Sequence, residues 1–205
     1  MPDWTLEREA HRAGHRLVAG IDEAGRGCLF GPVFAAAAIL DPARSPAGLD
    51  DSKRLSPARR EELDARIRDS ALAFAVRAVD AATIDLLNIL QASRLAMRQA
   101  VEALDPAPDF LLVDAVTIDS SLAQRGVIKG DRRSCSIAAA SILAKVARDR
   151  CIVAWDALYP EYGLRSNKGY PARAHLAALR ELGCTPLHRF SYSPVARAAR
   201  RSPGR

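Results

Sequence analysis

The chain has 205 residues, of which 49% are hydrophobic and 26% charged, with a formal net charge of +6. This length and composition are typical of one globular domain with a sizeable core. No apolar run reaches the roughly 18 residues that span a bilayer, and the amino terminus lacks a signal-peptide pattern. These features exclude a membrane-spanning segment, so we expect a cytoplasmic protein, and the positive charge mildly favours a polyanionic partner.

The first third of the chain reads as strands followed by a helix. His11 and His15, four residues apart, would share one face of a helix; without a third ligand nearby, they are interpreted as surface residues rather than as a metal site. Ser56 and Pro57 form a helix start, with serine as the cap. The predicted elements are strands over 17–22 and 32–40, a loop over 41–52, a helix to about residue 70 and a strand over 71–79.

The remaining elements alternate between helices and short strands. They are a helix from Thr83 or Asp85 to Leu104, strands over 110–113 and 127–128, a helix over 134–159, a loop over 163–170 and a helix over 171–182. Helical spacing predicts that the first of these helices has a buried stripe. The stripe consists of Leu86, Leu90, Met97, Val101 and Leu104.

The cysteines and the carboxyl terminus indicate no special chemistry. None of the four cysteines has C-x-x-C spacing, which argues against a structural zinc site. Cys135 and Cys151 are predicted on one helix about 24 Å apart, beyond the reach of a disulfide. The last ten residues contain Arg197, Arg200, Arg201 and Arg205 but no acid. We expect this basic tail to be frayed, serving either phosphate attraction or solubility.

Two predicted strands end in acids. Asp22 and Glu23 close the first strand, and Asp114 follows the strand over 110–113. Buried acids are costly unless they are paired, and a divalent cation is a common partner. Neighbours on a strand point to opposite faces, so Asp22 and Glu23 can converge only if the strand ends there. The glycines that follow fit neither the dinucleotide fingerprint nor a P-loop, and an acidic turn built for backbone geometry is the alternative.

Four stretches, in order, resemble the ribonuclease HII family. They are Gly20–Gly27, Asp51–Leu55, Lys129–Asp131 leading into Ser136–Val146, and Asn167–Tyr170. The resemblance spans about residues 17–193. It implies an α/β protein with the ribonuclease H-like fold: a mixed central sheet of five strands flanked by helices, with a small helical carboxyl-terminal segment. We expect residues 1–160 to form the catalytic domain and 161–205 to form that segment, including the basic tail, packed on the same domain.

Some residues depart from the family pattern. Cys28 stands where proline is usual, Phe30 replaces a small residue and Asn167 replaces a common histidine or glycine. Arg132 and Arg133 follow Asp131 where neutral residues are frequent. These differences bear on loop shape and substrate preference rather than on the reaction.

The resemblance implies an endoribonuclease that hydrolyses the RNA strand of RNA–DNA hybrids and cuts at ribonucleotides embedded in duplex DNA. Such an activity belongs to ribonucleotide excision repair and DNA replication. Phosphodiester hydrolysis by two divalent cations, Mg²⁺ or Mn²⁺, leaves 3′-hydroxyl and 5′-phosphate ends. The predicted catalytic residues are also the predicted metal ligands. They are Asp22, Glu23, Asp114 and Asp131.

The predicted substrate-binding residues are also those that match the family. The Gly25–Arg26–Gly27 turn would read the 2′-hydroxyl of the ribonucleotide, while Tyr170 would stack on the sugar at the RNA–DNA junction. Ser52 and Lys53 would hold a phosphate. Lys145 completes the set, although a structural ion pair with its helix neighbours is the plainer interpretation of that lysine.

We expect a monomer. Two alternatives remain: a hybrid-binding protein without catalysis, and a DNA junction nuclease on the same fold. The presence of all four acids argues against the first, and the Gly-Arg-Gly turn with Tyr170 argues against the second.

Overall fold

The structure is a computed structural model that describes residues 1–201. The helices of that range are α1 (Thr5–Arg12), α2 (Pro57–Ser70), α3 (Ala81–Leu87), α4 (Ile89–Glu102), α5 (Cys135–Asp156), α6 (Leu164–Asn167), α7 (Arg173–Leu182) and α8 (Ser193–Arg201). The strands are β1 (Val18–Ala24), β2 (Val33–Ile39), β3 (Ala73–Val79), β4 (Phe110–Asp114) and β5 (Ala123–Val127). Short 3₁₀ turns lie at Gly130–Arg132 and Pro160–Tyr162. No helix among the described residues is long and apolar enough to cross a membrane.

The strands form one mixed sheet in the order β3–β2–β1–β4–β5. β1 pairs antiparallel with β2, and β2 pairs antiparallel with β3, whereas β1, β4 and β5 are parallel. The predicted fold class is therefore confirmed. Ile21 of β1 is paired with Val113 of β4, so Asp22 and Asp114 are the next residues on two neighbouring parallel strands. Parallel strands deliver their ends to one edge, which brings these acids together.

Helix α5 lies directly against β1. A Cβ atom on Gly20 would be 2.1 Å from the carbonyl carbon of Ser136 and 2.3 Å from the nitrogen of Ile137, so only glycine fits there. Ala138, Ala139 and Ala140 are completely buried in the core between this helix, α2 and the sheet. The small residues of α5 thus allow this helix to pack closely on the sheet.

Helix α4 covers the opposite face of the sheet, but the prediction of one helix to Leu104 is wrong. The chain breaks at Asn88, which has a φ of 71° and caps α4 by accepting hydrogen bonds from the amides of Leu90 and Gln91. The break turns the beginning of the predicted stripe outward. Leu86 is 82% exposed and Leu90 is 36% exposed, while the other members of the stripe are buried.

The carboxyl-terminal segment has its own apolar cluster. Leu29 and Phe30 pack there with Ile152 of α5 and with residues of α7 and α8. The tail prediction was wrong up to residue 201, because residues 193–201 are helical. The rest of the predicted tail, residues 202–205, lies outside the described residues.

Several predicted boundaries also need correction. β1 continues to Ala24, two residues beyond the predicted end. α1 was not predicted, α6 lies within the predicted loop 163–170, and α5 ends before residue 159. The predicted strand over 127–128 is the end of β5, whose last residue is Val127.

Candidate active site at the ends of the central strands

Asp22 lies buried near the end of β1, with 6% of its surface exposed. Burial raises its pKa well above the usual range, and the charges of Glu23 and Asp114 raise it further, whereas the hydroxyl of Ser141 on α5 favours the ionised form. Because β1 continues past this point, the expectation that the strand ends at the two acids is wrong. Asp22 and Glu23 nevertheless remain close enough to influence each other's charge.

Glu23 is the half-buried neighbour of Asp22. Its Oε1 lies 3.3 Å from Nη1 of Arg26, and its backbone amide donates to Asp22 Oδ1 at 2.7 Å. Burial raises the pKa of Glu23, and the guanidinium of Arg26 opposes that change. Asp114 raises it further, so three carboxylates from β1 and β4 share one electrostatic environment.

Asp114 connects the first two acids to Asp131. Its Oδ1 accepts a hydrogen bond of 2.6 Å from the amide of Gly130, in the 3₁₀ turn that carries Asp131. Burial raises the pKa of Asp114 despite this hydrogen bond. Burial also raises the pKa of Asp131, helped by the charges of Asp51 and Asp114. The four acids therefore form a chain of neighbours with Asp114 in its middle.

These carboxylates suit a hard divalent cation as a donor set. Among the described residues, no lysine, arginine or histidine forms an ion pair within 4.0 Å of Asp22, Asp114 or Asp131. Buried carboxylates without a cationic partner are held at a cost that a metal ion would relieve. In the described range no three acidic, histidine or cysteine side chains converge on one point as a ready-made cage. Magnesium needs no such cage, because it usually takes one or two carboxylates plus water and substrate phosphate.

Beside the acids lies a cleft of about 260 Å³. Every residue predicted to bind substrate lines it, together with Glu23, Ala24 and Ser141. The predicted residues are Gly25, Arg26, Gly27, Ser52, Lys53, Lys145 and Tyr170. Stretches that are far apart in the sequence therefore meet on one surface next to a carboxylate of the proposed metal site.

Tyr170 forms one wall of the cleft and is 36% exposed. Two cations approach its ring: Lys145 Nζ and Arg148 Cζ each lie 5.5 Å from the ring centroid. The hydroxyl lies against the thiol of Cys28, and burial raises the pKa of Tyr170 to about 12. Lys145 also donates to Asp149 Oδ1 at 2.8 Å, so it both forms the helix ion pair and faces the cleft. The ring thus lies among fixed neighbours at the cleft wall and stays partly exposed to a ligand.

Ser52 and Lys53 belong to a loop that Asp51 organises. Asp51, 2% exposed, accepts from the backbone amide of Lys53 at 2.9 Å and from Arg132 Nη2 at 2.9 Å. The hydroxyls of Ser141 and Ser52 are hydrogen-bonded to each other at 2.8 Å. Arg132, noted from the sequence only as a departure, therefore connects the loop that carries Asp131 to the loop that carries Lys53.

The model of the ribonuclease HII family matches residues 19–195. A ribonuclease HII from Solibacter usitatus is 60% identical over 191 residues, covering 93% of this chain and 84% of the relative. The chain belongs to the ribonuclease HII family. Another ribonuclease HII, from Geobacter sulfurreducens, is 51% identical over 193 residues, covering 94% of this chain and 89% of the relative. The crystal structure of the ribonuclease H2 from Pyrococcus horikoshii has a TM-score of 0.77 at 26% identity, covering 91% of this chain and 98% of that one.

Family membership establishes the reaction in general terms. The protein is a divalent-metal-dependent endoribonuclease that acts on RNA–DNA hybrids, as predicted. The residues that depart from the usual ribonuclease HII pattern are accommodated locally. Cys28 is buried against Tyr170, Phe30 packs edge-on against His188, and Asn167 accepts from the amide of Gly169 at 2.7 Å.

Two buried arginines lie beside the cleft; the sequence indicated Arg148 only as a helix neighbour of Lys145 and Asp149, and Arg189 was missed. Arg148 lies beneath Gly25 and Tyr170, and Arg189 donates hydrogen bonds to the backbone of the turn at residues 25–27. Arg189 had no sequence signal, because an isolated arginine in a loop is normally solvated. The Ser136–Val146 motif contains Ser141, but the sequence indicated no role for its side chain.

Proposed function

We propose that this endoribonuclease cuts both long RNA–DNA hybrids and single ribonucleotides embedded in duplex DNA, leaving 3′-hydroxyl and 5′-phosphate ends. The observation that carries the proposal is the cleft in which the Gly25–Arg26–Gly27 turn and Tyr170 lie beside Glu23. A single ribose differs from its neighbours only by one hydroxyl, so an enzyme that finds it must contact that sugar closely. Glycine permits such an approach by the backbone.

The four carboxylates would hold Mg²⁺ or Mn²⁺ in this proposal. When bound, the cations supply an activated water and neutralise charge at phosphorus. Asp22, buried and without a cationic side-chain partner among the described residues, would be a principal ligand, with Glu23 and Asp114 beside it. Asp131 would contribute through its position next to Asp114.

The remaining residues of the cleft would orient the substrate. Lys53 is exposed and unhindered at the rim, so its ammonium can meet a phosphate, while Ser52 holds the loop through Ser141. Tyr170 would stack on the sugar that follows the ribonucleotide. Lys145 would add positive charge next to this ring.

The proposal includes three further points. Residues 1–160 act as the catalytic domain, and residues 161–205 act as a segment that helps hold the substrate. The apolar packing of Phe30 with residues of that segment supports its attachment to the same domain. The enzyme works as a monomer. It works in the cytoplasm, on hybrids and on DNA duplexes that contain ribonucleotides.

The test is a cleavage assay on end-labelled duplexes with no, one or four embedded ribonucleotides, each in Mg²⁺ and in Mn²⁺. We expect cleavage of both ribonucleotide-containing duplexes and products with 3′-hydroxyl ends. Cleavage of the four-ribonucleotide duplex alone would disprove the assignment of single-ribonucleotide activity.

The matched control is Asp22→Asn, which keeps the size of the side chain and removes its charge. An all-DNA junction should remain intact. Cleavage of that junction, or full activity of Asp22→Asn, would contradict the proposal.

A further inference from the structure

The side chain of Arg189 reaches from the carboxyl-terminal segment into the turn at residues 25–27. It is completely buried. Nε donates to the carbonyl oxygen of Gly31 at 2.8 Å, and Nη1 donates to those of Gly25 at 2.8 Å and Arg26 at 3.1 Å. The hydroxyl of Tyr192 also contacts both Arg189 Nη1 and the Arg26 carbonyl. One guanidinium thus fixes three carbonyl groups of one loop.

The backbone around Arg189 is anchored to the same loop. Its amide donates to the carbonyl of Leu29 at 2.9 Å, and the amide of Gly31 donates to the carbonyl of Leu187 at 2.8 Å. Phe30 and His188 form an antiparallel bridge between the two segments. The position from which the side chain of Arg189 extends is therefore fixed as well.

Only arginine suits this position. Among the described residues, no carboxylate lies within 4.0 Å of Arg189, so carbonyl dipoles and the hydroxyl of Tyr192 compensate the buried charge. Lysine carries a single nitrogen and cannot donate along the separate directions that the guanidinium fork serves. A buried charge held in this way is costly, which indicates a role beyond filling the core.

The hydrogen bonds determine where two amide groups point. The peptide bonds of the turn are trans, so the N–H of each peptide points opposite to its C=O. Because the carbonyls of Gly25 and Arg26 face Arg189, the amides of Arg26 and Gly27 face away from it. In the part of the chain that the structure describes, neither amide donates a hydrogen bond, and both residues line the cleft.

We propose that Arg189 is a positioning residue that orients the amides of Arg26 and Gly27 toward the ribose at the cleavage site, and so sets the preference for ribonucleotides over DNA. The inference rests on the proposed function, in which this turn contacts the ribose. It concerns binding discrimination, which can be measured apart from cleavage.

The test compares Arg189→Lys with Val195→Ala, a completely buried apolar residue of the same carboxyl-terminal cluster. Each change is made in the Asp22→Asn background, where the substrate should stay intact. The ratio of the Kd values for an all-DNA duplex and for the same duplex with one ribonucleotide is measured. We expect Arg189→Lys to bring this ratio close to one and Val195→Ala to preserve it. In the otherwise unchanged enzyme, Arg189→Lys should lower kcat/KM about 100-fold, as expected for a misplacement of about 1 Å.

Amide hydrogen exchange gives a readout that does not depend on substrate. A peptide covering residues 25–29 should exchange faster in Arg189→Lys than in Val195→Ala, with the exchange of β1 unchanged. If Arg189→Lys does not fold, Tyr192→Phe removes only one hydroxyl from the same network and should shift both readouts in the same direction by less.

The outcomes are separable. Equal affinity of the Asp22→Asn parent for both duplexes would overturn the proposed function itself. A parent that prefers the ribonucleotide, with the preference retained in Arg189→Lys, would overturn only the role of Arg189. The role of Arg189 would also be overturned if Arg189→Lys and Val195→Ala both lost the preference in proportion to their fall in melting temperature.

Discussion

Nε of Arg148 lies 2.1 Å from the position that a Cβ atom would occupy on Gly25. Gly25 also has a φ of 101°, which disfavours any residue with a side chain. Gly27 is different: a Cβ atom added there would have no neighbouring atom within 4 Å, and the backbone of Gly27 shows no such strain. Gly25 is therefore needed for the fold, whereas Gly27 is needed only in the proposed function, for the close approach of the ligand.

Alanine substitutions separate these reasons. Gly25→Ala should lower the free energy of unfolding by about 1–3 kcal/mol or more, because it combines strain with overpacking. Gly27→Ala should change it by less than about 0.5 kcal/mol. It should still reduce cleavage, since the methyl group would stand where a sugar approaches. Urea unfolding and cleavage rates measure both effects, and full activity of Gly27→Ala would contradict the close approach.

Removal of the Tyr170 ring should reduce activity more than removal of its hydroxyl. Stacking on an aromatic ring contributes about 1–3 kcal/mol, so Tyr170→Ala should reduce cleavage at single ribonucleotides roughly 10-fold or more. Tyr170→Phe keeps the ring beside Lys145 and Arg148 and loses only the contact with Cys28. It should remain close to the parent in single-turnover assays. Equal losses in both variants would assign the effect to the hydroxyl instead.

Metal binding should stabilise the fold. Burial and the neighbouring carboxylates raise the pKa of Asp22, which means that its charge is held at a cost when no cation is present. At about 100 times the Kd, ligand binding adds about 2.7 kcal/mol, or a rise in melting temperature of roughly 5–10 °C. Thermal unfolding with and without Mg²⁺ or Mn²⁺ measures this shift.

Asp22→Asn serves as the control for the metal effect. Without metal at neutral pH it should melt higher than the parent, because the buried charge is gone. With metal its shift should be smaller. A parent that shows no shift in saturating metal would count against the carboxylate site.

A buried histidine pair should make stability depend on pH. Nδ1 of His175 lies 2.9 Å from the Tyr170 carbonyl, so it donates there, and Nε2 of His175 then accepts from Nε2 of His188 at 3.1 Å. Nδ1 of His188 accepts from the amide of Thr185. Both rings are therefore neutral in the fold. Burial lowers the pKa of His175 and, with the neighbouring ring, lowers that of His188 to about 3.

The sign of the pH effect follows from proton uptake. Between pH 6.5 and about 3 the unfolded chain binds a proton at His188 that the folded chain does not, so acidification destabilises the fold. The loss from this residue should be roughly 2 kcal/mol near pH 5. His188→Gln should flatten the fall of unfolding free energy between pH 7 and 5, whereas the exposed His11→Gln should leave it unchanged. An unchanged slope in His188→Gln would show that other groups are responsible.

The sequence predicted the parts of the site that depend on short stretches of chain. Each cleft-lining residue lies in a contiguous motif whose local geometry is largely its own, and the order of strands and helices followed from periodicity. Asn88 had a signal that was overlooked, since asparagine is a preferred helix cap. The apolar residues on both sides of Asn88 favoured one continuous helix, so Leu86 was wrongly predicted to be buried.

The contacts of Arg148, Arg189 and the histidine pair could not be predicted in this way. Arg189 and Gly25 are 164 residues apart, and Ser141 and Ser52 are 89 apart. Such contacts depend on how whole helices and strands pack together. The sequence around one residue therefore contains no pattern that predicts its partner. The partner of Arg132 could not be predicted either, since only the fold shows that Arg132 forms an ion pair with Asp51.

The dependence of the turn on Arg189 has a consequence during synthesis. Gly25 and Arg189 are 164 residues apart, so the donor for the carbonyls of the turn is synthesised long after the strand that precedes the turn. A ribosome-bound chain that ends before residue 189 would contain all four acids and no anchor for the turn. We expect such unfinished chains to discriminate poorly between ribose and deoxyribose, and to gain this selectivity only after residue 189 has been added.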